Sequence, residues 1–394
     1  MTAVNKPRIE SIDILRGLVM VIMALDHARD YFHFGAFNTD PTNIATTKPL
    51  LFFTRFITHY CAPFFVFLAG NSAFLYGSNK TKPQLSKFLF TRGIWLIFLE
   101  LVLNNFIWTF DYTYSVQIVQ VIFAIGFSMI CLSLLIYLPV KLILFIGILL
   151  IAGHNALDGI VLDGQSFQSV IWYLLHQDHA LILGSGKLIM LHYPLIPWIG
   201  LMLLGYLFGT FYQKDFDLAV RKKWLLRLGT GLVLIFFVLR ALNIYGDLVP
   251  WAFQDTITKT ILSFFNVTKY PPSLLYICIT LGPAILFLYF FEETKNKLTN
   301  FFLVFGRVPL FYYFAHMLVI HLLAIIGILI VGGNWHSMIL NISGLKNNNL
   351  ANYGYSLLVV YLVWIGVVLI LYPFCKKYMV YKANNKDKWW LSYL

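Results

Sequence analysis

Apolar residues run along this chain in long blocks separated by short charged or turn-rich breaks. The blocks fall at about 11–33, 50–77, 85–110, 115–137, 140–153, 195–213, 224–243, 271–292, 303–331 and 354–375. A helix needs about 20 mostly apolar residues to cross a bilayer. The pattern therefore predicts an all-α, polytopic integral membrane protein with about ten spans. The fifth block is short for a full crossing and has to extend or tilt. Two connections are long. Residues 154–194 include "SFQSVIWYLLHQDHALIL", and residues 244–270 include "VPWAFQDTITKTILSFF". Both are too apolar for disorder and are expected to hold interfacial or re-entrant helices covering a cavity. No internal repeat stands out, so residues 1–394 read as a single transmembrane domain.

Composition supports this reading. The chain is 59% hydrophobic and 12% charged, against about 25% charged in soluble domains. Its net charge of +12 does not signal nucleic acid, because the basic residues gather in short connections, where they set orientation. With the N-terminus in the cytoplasm, Arg29, Lys48, Arg55, Lys187, Arg240, Lys259, Lys269 and Lys346 fall on or near the outer side. That leaves 21 of the 29 basic residues inside, Lys6, Arg8 and Lys386 among them. The asymmetry predicts ten spans with both termini cytoplasmic; an odd number would throw the tail "CKKYMVYKANNKDK" outward. "RIESIDILRG" lacks the form of a cleavable signal, so the first helix is expected to remain as an anchor. Cys61, Cys131, Cys278 and Cys375 are scattered and read as small core residues, with no disulfide framework or zinc ribbon.

Ionisable residues inside spans are costly and point to function. The first span is the richest: "DILRGLVMVIMALDHARDYFHF". Arg16 and His27 are eleven residues apart, three helical turns, so they share a face about 16 Å apart along the axis. Asp30 follows His27 by three residues and is placed to orient the imidazole. The blander reading has Arg16 snorkelling to headgroups and "DHARDYFH" forming an interfacial end. In the second span Pro63 cannot donate to the carbonyl of His59, so the helix should kink there and free that carbonyl. Glu100, with Asn104 four residues on, is the one glutamate well inside a span; it suits a polar clamp as well as chemistry. In "FGRVPLFYYFAHMLVIHLLA", Arg307 marks the cytoplasmic entry, His316 is a functional candidate and His321 reads as packing. His176 and His179 could bind a metal but lack a third ligand at diagnostic spacing, so no metal is expected. No Walker loop, dinucleotide fingerprint, G-x-S-x-G or HExxH occurs.

Five blocks resemble a bacterial membrane family grouped with the catalytic domain of heparan-α-glucosaminide N-acetyltransferase. They are "RIESIDILRGLVMVIMALDHARDYF", "FFTRFITHYCAPFFVFLAGNSAFL", "YPLIPWIGLMLLGYLFG", "KYPPSLLYICITLGPAIL" and "FGRVPLFYYFAHMLVIHLLA", spread over residues 8–330. The resemblance implies a transmembrane acyltransferase in the bacterial cytoplasmic (inner) membrane. Such an enzyme takes an acetyl or acyl group from cytosolic acetyl-CoA or another acyl-CoA. It passes that group to an amine or hydroxyl of a sugar or glycan at the opposite face. The spacing of Arg16 and His27 also looks like the R-x10-H motif of membrane O-acyltransferases that decorate surface polysaccharides. The chain departs from the lysosomal enzyme at His27, where that enzyme has an asparagine. Its active-site histidine falls in the following loop, where His33 is the nearest histidine here. His59 stands where it has an aspartate, while His316 matches one of its histidines.

On this reading Arg16, Arg92, Arg307 and the segment "RKKWLLR" line a cytoplasmic mouth for the coenzyme's phosphates, since the arginine fork suits phosphate. His27 is the general base, oriented by Asp30 or His59, and His316 steadies the oxyanion or carries the proton. The expected partners are the lipid bilayer and a glycan or small-molecule acceptor, with a homodimer left open. A transporter or flippase without acyl chemistry is the competing class, using the same groups as a substrate or proton path.

Overall fold

The computed structural model describes residues 9–184, 186–385, 387, 388 and 391; Lys6, Arg8 and Lys386 lie outside them. The protein is mostly helical, and six of its helical stretches are long and apolar enough to cross a membrane. These stretches are Pro49–Gly77, Leu195–Tyr212, Leu218–Leu242, Leu274–Phe291, Pro309–Ile330 and Leu357–Asn384. Val121–Leu135 and Val140–Ala152 are apolar but shorter.

In chain order the helices are α1 (Glu10–Phe32), α2 (Pro49–Thr58), α3 (Cys61–Gly77) and α4 (Lys82–Leu99). A π-helical turn, Glu100–Asn104, joins α4 to α5 (Asn105–Thr109). There follow α6 (Val121–Leu135), α7 (Val140–Ala152), α8 (Phe167–Leu175), α9 (Leu195–Phe208), α10 (Leu218–Leu242) and α11 (Ile257–Phe265). The last are α12 (Leu274–Phe291), α13 (Lys297–Arg307), α14 (Pro309–Ile330), α15 (Ile342–Lys346) and α16 (Leu357–Asn384). Each predicted apolar block but that at 115–137 lies largely on one of these helices or on a broken pair of them.

Three departures from the sequence pattern are informative. The block expected at 115–137 begins as strand β1 (Val116–Val119), and its helix starts only at Val121. β1 pairs in parallel with β3 (Leu188–Leu191), which pairs antiparallel with β2 (His179–Ile182). The fold is thus helical with one small sheet, where the sequence predicts helices alone. The block at 303–331 is broken at Val308, which precedes Pro309 and leaves the helical region (φ −133°, ψ 48°). The connections at 154–194 and 244–270 hold α8 and α11, the short helices expected there, but the first also holds the β2–β3 hairpin.

The connections fall into two sets. Those at 33–48, 110–120, 153–194, 243–273 and 331–356 interlock at one end of the bundle. Asn266 donates to the Thr42 carbonyl, Asn38 to Ala351, Leu274 to Asn155 Oδ1 and Ile342 to Ser115 Oγ. The connections at 78–81, 136–139, 213–217 and 292–296 are short.

Small residues let the helices meet backbone to backbone. Gly17 and Gly306 join α1 to α13, Gly70 and Gly205 join α3 to α9, and Gly93 and Gly126 join α4 to α6. A Cβ on Gly17 would lie 1.8 Å from the Phe302 carbonyl oxygen, and one on Gly306 would lie 1.8 Å from that of Asp13. All four cysteines are free.

Candidate active site

The α1 stripe that carries Arg16 also carries Met20, Met23 and His27, at offsets of four, seven and eleven. Arg16, Met20 and Met23 line a cavity of about 480 Å³ between α1, α3, α4, α6 and α14. Arg16, Arg92, Arg307 and Lys382 all face this cavity, and no carboxylate is among the described residues that line it. The remaining wall is apolar and aromatic, including Phe65, Phe88, Tyr76 and Met129. Tyr313 also lines it, and the Tyr313 ring stands edge-on to His27 with centroids 6.0 Å apart. The basic end and the histidine layer are therefore two ends of one stripe.

The basic end is assembled by close packing. Arg16 precedes Gly17 and Arg307 follows Gly306, so the contact of these two glycines draws both guanidinium groups to one mouth. Carboxylates beside the mouth hold them in place. Arg16 donates to Asp13 at 2.8 Å and to Ser72 Oγ at 3.2 Å, and Arg307 pairs with Glu10 at 3.4 Å.

His27 and His316 form a coplanar, edge-to-edge pair, with ring planes 3° apart and His27 Nδ1 2.8 Å from His316 Nε2. Both are buried, at 8% and 0% exposure. His316 Nδ1 lies 2.7 Å from the Tyr312 carbonyl, which can only accept. Nδ1 of His316 must then carry the proton, so the neutral ring offers a lone pair at Nε2. His27 donates to that lone pair from Nδ1, which leaves its own lone pair on Nε2. Nε2 of His27 makes no hydrogen bond among the described residues. Trp108 packs edge-on against the His27 ring at 5.2 Å.

Other residues singled out from the sequence lie elsewhere. Asp30 pairs with Arg29 at 2.5 Å, and no hydrogen bond joins it to His27 among the described residues. Asp26 is the more heavily bonded carboxylate, contacting Arg55 at 2.6 Å, Arg29 at 2.8 Å and Thr58 at 2.9 Å. His59 sits at the break between α2 and α3, and the carbonyl freed by Pro63 accepts from the Tyr276 hydroxyl at 2.8 Å. Its ring packs on Tyr276 and does not contact His27. Glu100, in the π-helical turn, accepts from Asn104 Nδ2 at 3.0 Å. His321 faces the Ile107 and Met338 carbonyls at 2.8 and 2.9 Å, a packing role. Arg221 pairs with Glu292, and Arg227 covers Trp224; neither lines the cavity.

Sequence reasoning missed Tyr313, Trp108 and Lys382. Tyr313 had a signal, since it lies three residues before His316 and so on the same helix face. Trp108 and Lys382 had none, because tertiary packing alone brings Trp108 to His27 and Lys382 to the cavity.

A family model described as "Heparan-alpha-glucosaminide N-acetyltransferase, catalytic" matches residues 8–246. The matched segment includes Arg16, His27, His59 and Arg92 and ends before Arg307 and His316. The comparison with curated proteins gave no match.

Proposed function

Because the chain belongs to the family of the heparan-alpha-glucosaminide N-acetyltransferase catalytic domain, we propose that it is a transmembrane acyltransferase using cytosolic acetyl-CoA or another acyl-CoA. The observation that carries this reading is the single α1 stripe running from a basic cavity mouth at Arg16 to the His27–His316 pair. We take the mouth as cytoplasmic and the whole chain as one domain of ten spans with both termini inside. The 21 to 8 partition of basic residues supports that orientation. Three of the eight exceptions have local reasons to be where they are: Arg29 and Arg55 share Asp26, and Arg240 is enclosed by backbone carbonyls.

In this mechanism Arg16, Arg92, Arg307 and Lys382 bind the phosphates of the donor, for which clustered guanidinium and ammonium groups are suited. The apolar wall between them and Tyr313 holds the donor's arm. His27 Nε2 takes a proton from the acceptor hydroxyl or amine as that atom attacks the thioester carbonyl. The new C–O or C–N bond forms, the C–S bond breaks, and the proton on His27 passes to the departing thiolate. His316 holds His27 in the tautomer that leaves Nε2 basic, as a neighbouring acceptor does for other catalytic imidazoles. The acceptor enters from the interlocked end of the bundle, which we read as the outer face, and a sugar or glycan is the favoured class.

Membranes holding the protein, given radiolabelled acetyl-CoA, should yield a labelled sugar, lipid or glycan. A His27→Ala variant should bind coenzyme A but transfer label far more slowly, by about 10²–10⁴-fold. The absence of transfer from the unaltered protein across an acceptor panel, with no binding of coenzyme A, would favour a transporter instead.

A further inference from the structure

The connection after α7 returns to meet the end of α8, and the two bring His154, Asp158 and His176 together. Each offers one ligand atom, and the three atoms lie within 4.8 Å of one another. Both imidazoles are buried, at 2% and 3% exposure. None of their four ring nitrogens makes a hydrogen bond among the described residues. His176 Nε2 lies 3.1 Å from Asp158 Oδ1, but the approach does not align as a hydrogen bond. The two rings stand nearly perpendicular, 71° apart, with centroids 5.4 Å apart.

Two buried imidazoles with no well-aligned hydrogen bond, only the approach of the Pro272 backbone to His154 and of Asp158 to His176, are an uncommon arrangement, because buried polar groups are nearly always partnered. We propose that His154, Asp158 and His176 form a binding site for a divalent transition metal ion, zinc foremost, which fastens the outer connection to the end of α7. Two imidazoles and a carboxylate are a donor set that zinc takes readily, with a fourth position left for water or an anion.

The surroundings are built to aim the ligands. Asn155 Nδ2 donates to Asp158 Oδ2 at 2.9 Å, which leaves Oδ1 for the cluster. The same Asn155 accepts from the Leu274 amide at 3.0 Å, so the carboxylate is referred to the start of α12. The Pro272 backbone carbonyl approaches His154, where it could take the N–H on the far side of a bound ring. A tetrahedral zinc ion sets neighbouring ligand atoms about 3.3 Å apart. The His176–Asp158 edge is already near that length at 3.1 Å, and the other edges, no longer than 4.8 Å, would shorten on binding. This site is not the pair suggested by sequence spacing. His179, three residues after His176, stacks on Tyr173 with centroids 4.0 Å apart and takes no part.

The test uses the full chain purified in detergent and stripped with a chelator. Added Zn2+ should bind at one ion per chain and raise the melting temperature, reversibly with EDTA. Added Co2+ should give the intense visible bands of a low-coordinate N/O site. Binding should be lost in a His154→Ala, His176→Ala double variant and retained when His179 and His192 are both changed to alanine. No stoichiometric Zn2+, no visible Co2+ bands and no thermal shift would overturn the proposal, as would binding that survives in the double variant. If the double variant does not fold, the Co2+ spectrum and the EDTA-reversible thermal shift of the unaltered protein still decide the question.

Discussion

His27 Nδ1 lies 2.8 Å from His316 Nε2, although 289 residues separate the two in the chain. The Tyr312 carbonyl fixes the proton on His316, and His316 in turn fixes the proton on His27. If His27 is the proposed base and His316 its orienter, removing the one and removing the other should differ. His27→Ala is expected to lower the transfer rate by about 10²–10⁴-fold with coenzyme A affinity little changed. His316→Ala should cost less, about 10–100-fold, because His27 keeps its place but loses its tautomer. Initial rates with labelled acetyl-CoA, alongside a binding isotherm, check both. A His316→Ala enzyme of full activity would refute the orienting role.

Much of this site could be read in the chain, and the reason is periodicity. Arg16 and His27 share a helix, so the 3.6-residue repeat alone puts them on one stripe. Pro63 likewise announces the freed His59 carbonyl, though not the Tyr276 hydroxyl that satisfies it. What stayed hidden depends on distance in sequence. The α1–α14 contact that brings His316 to His27 leaves no local trace, so Asp30 and His59, nearer in the chain, seemed better partners. β1 was hidden for another reason: "VQIVQVIF" is apolar and β-branched, and a short run of that kind fits a buried strand as well as a helix.

If the basic mouth is the proposed donor site, binding there should be sensitive to charge. Arg16→Ala and Arg307→Ala are each expected to weaken coenzyme A binding about tenfold or more, the loss typical of a charge-assisted phosphate contact. Dephospho-coenzyme A should show a smaller loss in whichever variant contacts the removed phosphate. Isothermal titration in detergent would measure both, and unchanged affinity in the two variants would rule out this mouth.

Gly17 and Gly306 should resist any side chain. A Cβ at either position would come within 1.8 Å of a carbonyl oxygen of the facing helix, and a backbone atom cannot swing aside as a side chain can. Gly17→Ala and Gly306→Ala are each expected to destabilise the protein by at least ~1–3 kcal/mol as α1 and α13 move apart. Arg16 and Arg307 would separate with them, so coenzyme A affinity should fall even though neither arginine is changed. Gly231, with open space around it, is the control. Thermal melts of the three alanine variants would settle the comparison.

Asp111 ties down the connection between α5 and β1 by accepting four hydrogen bonds. They come from the Thr113 amide and hydroxyl and the Ser115 amide and hydroxyl, at 2.5–2.9 Å. Although burial opposes the charged form, these donors hold the carboxyl below its ordinary value of 3.8. The sign follows from that depression: the stabilisation is complete above the ordinary value and is lost as pH falls through the lower folded one. Ser115 also accepts from the Ile342 amide, so acid should loosen the contact with the 331–356 connection. Asp111→Asn should show the same loosening at neutral pH. Hydrogen exchange at residues 113–115 and 342 measures it, and matching protection in variant and parent would count against the account.

Arg240 gives the strongest expectation about stability. It is 1% exposed near the end of α10, and its guanidinium donates to the carbonyls of Val249, Ser263, Phe264 and Asn266 at 2.7–3.0 Å. Asp247, 3.9 Å away, supplies the nearest opposite charge and itself accepts from Thr268 and Ser273. One cation thus holds the 243–273 connection in place, which explains a basic residue on the side where the charge pattern expects few. Arg240→Met keeps the length of the side chain but takes the donor from the Val249, Phe264 and Asn266 carbonyls, while Ser263 keeps only the Asn266 amide. Leaving buried acceptors without donors costs about 1–3 kcal/mol each where water cannot reach them, so a loss of at least ~3 kcal/mol is expected. Arg240→Lys should recover only part of it, because an ammonium has three donors and no fork to span four carbonyls. Limited proteolysis should cut the variants first within residues 244–270 while the flanking helices α10 and α12 stay intact. Cleavage elsewhere, or a Met variant as stable as the parent, would show that the connection is held by other contacts.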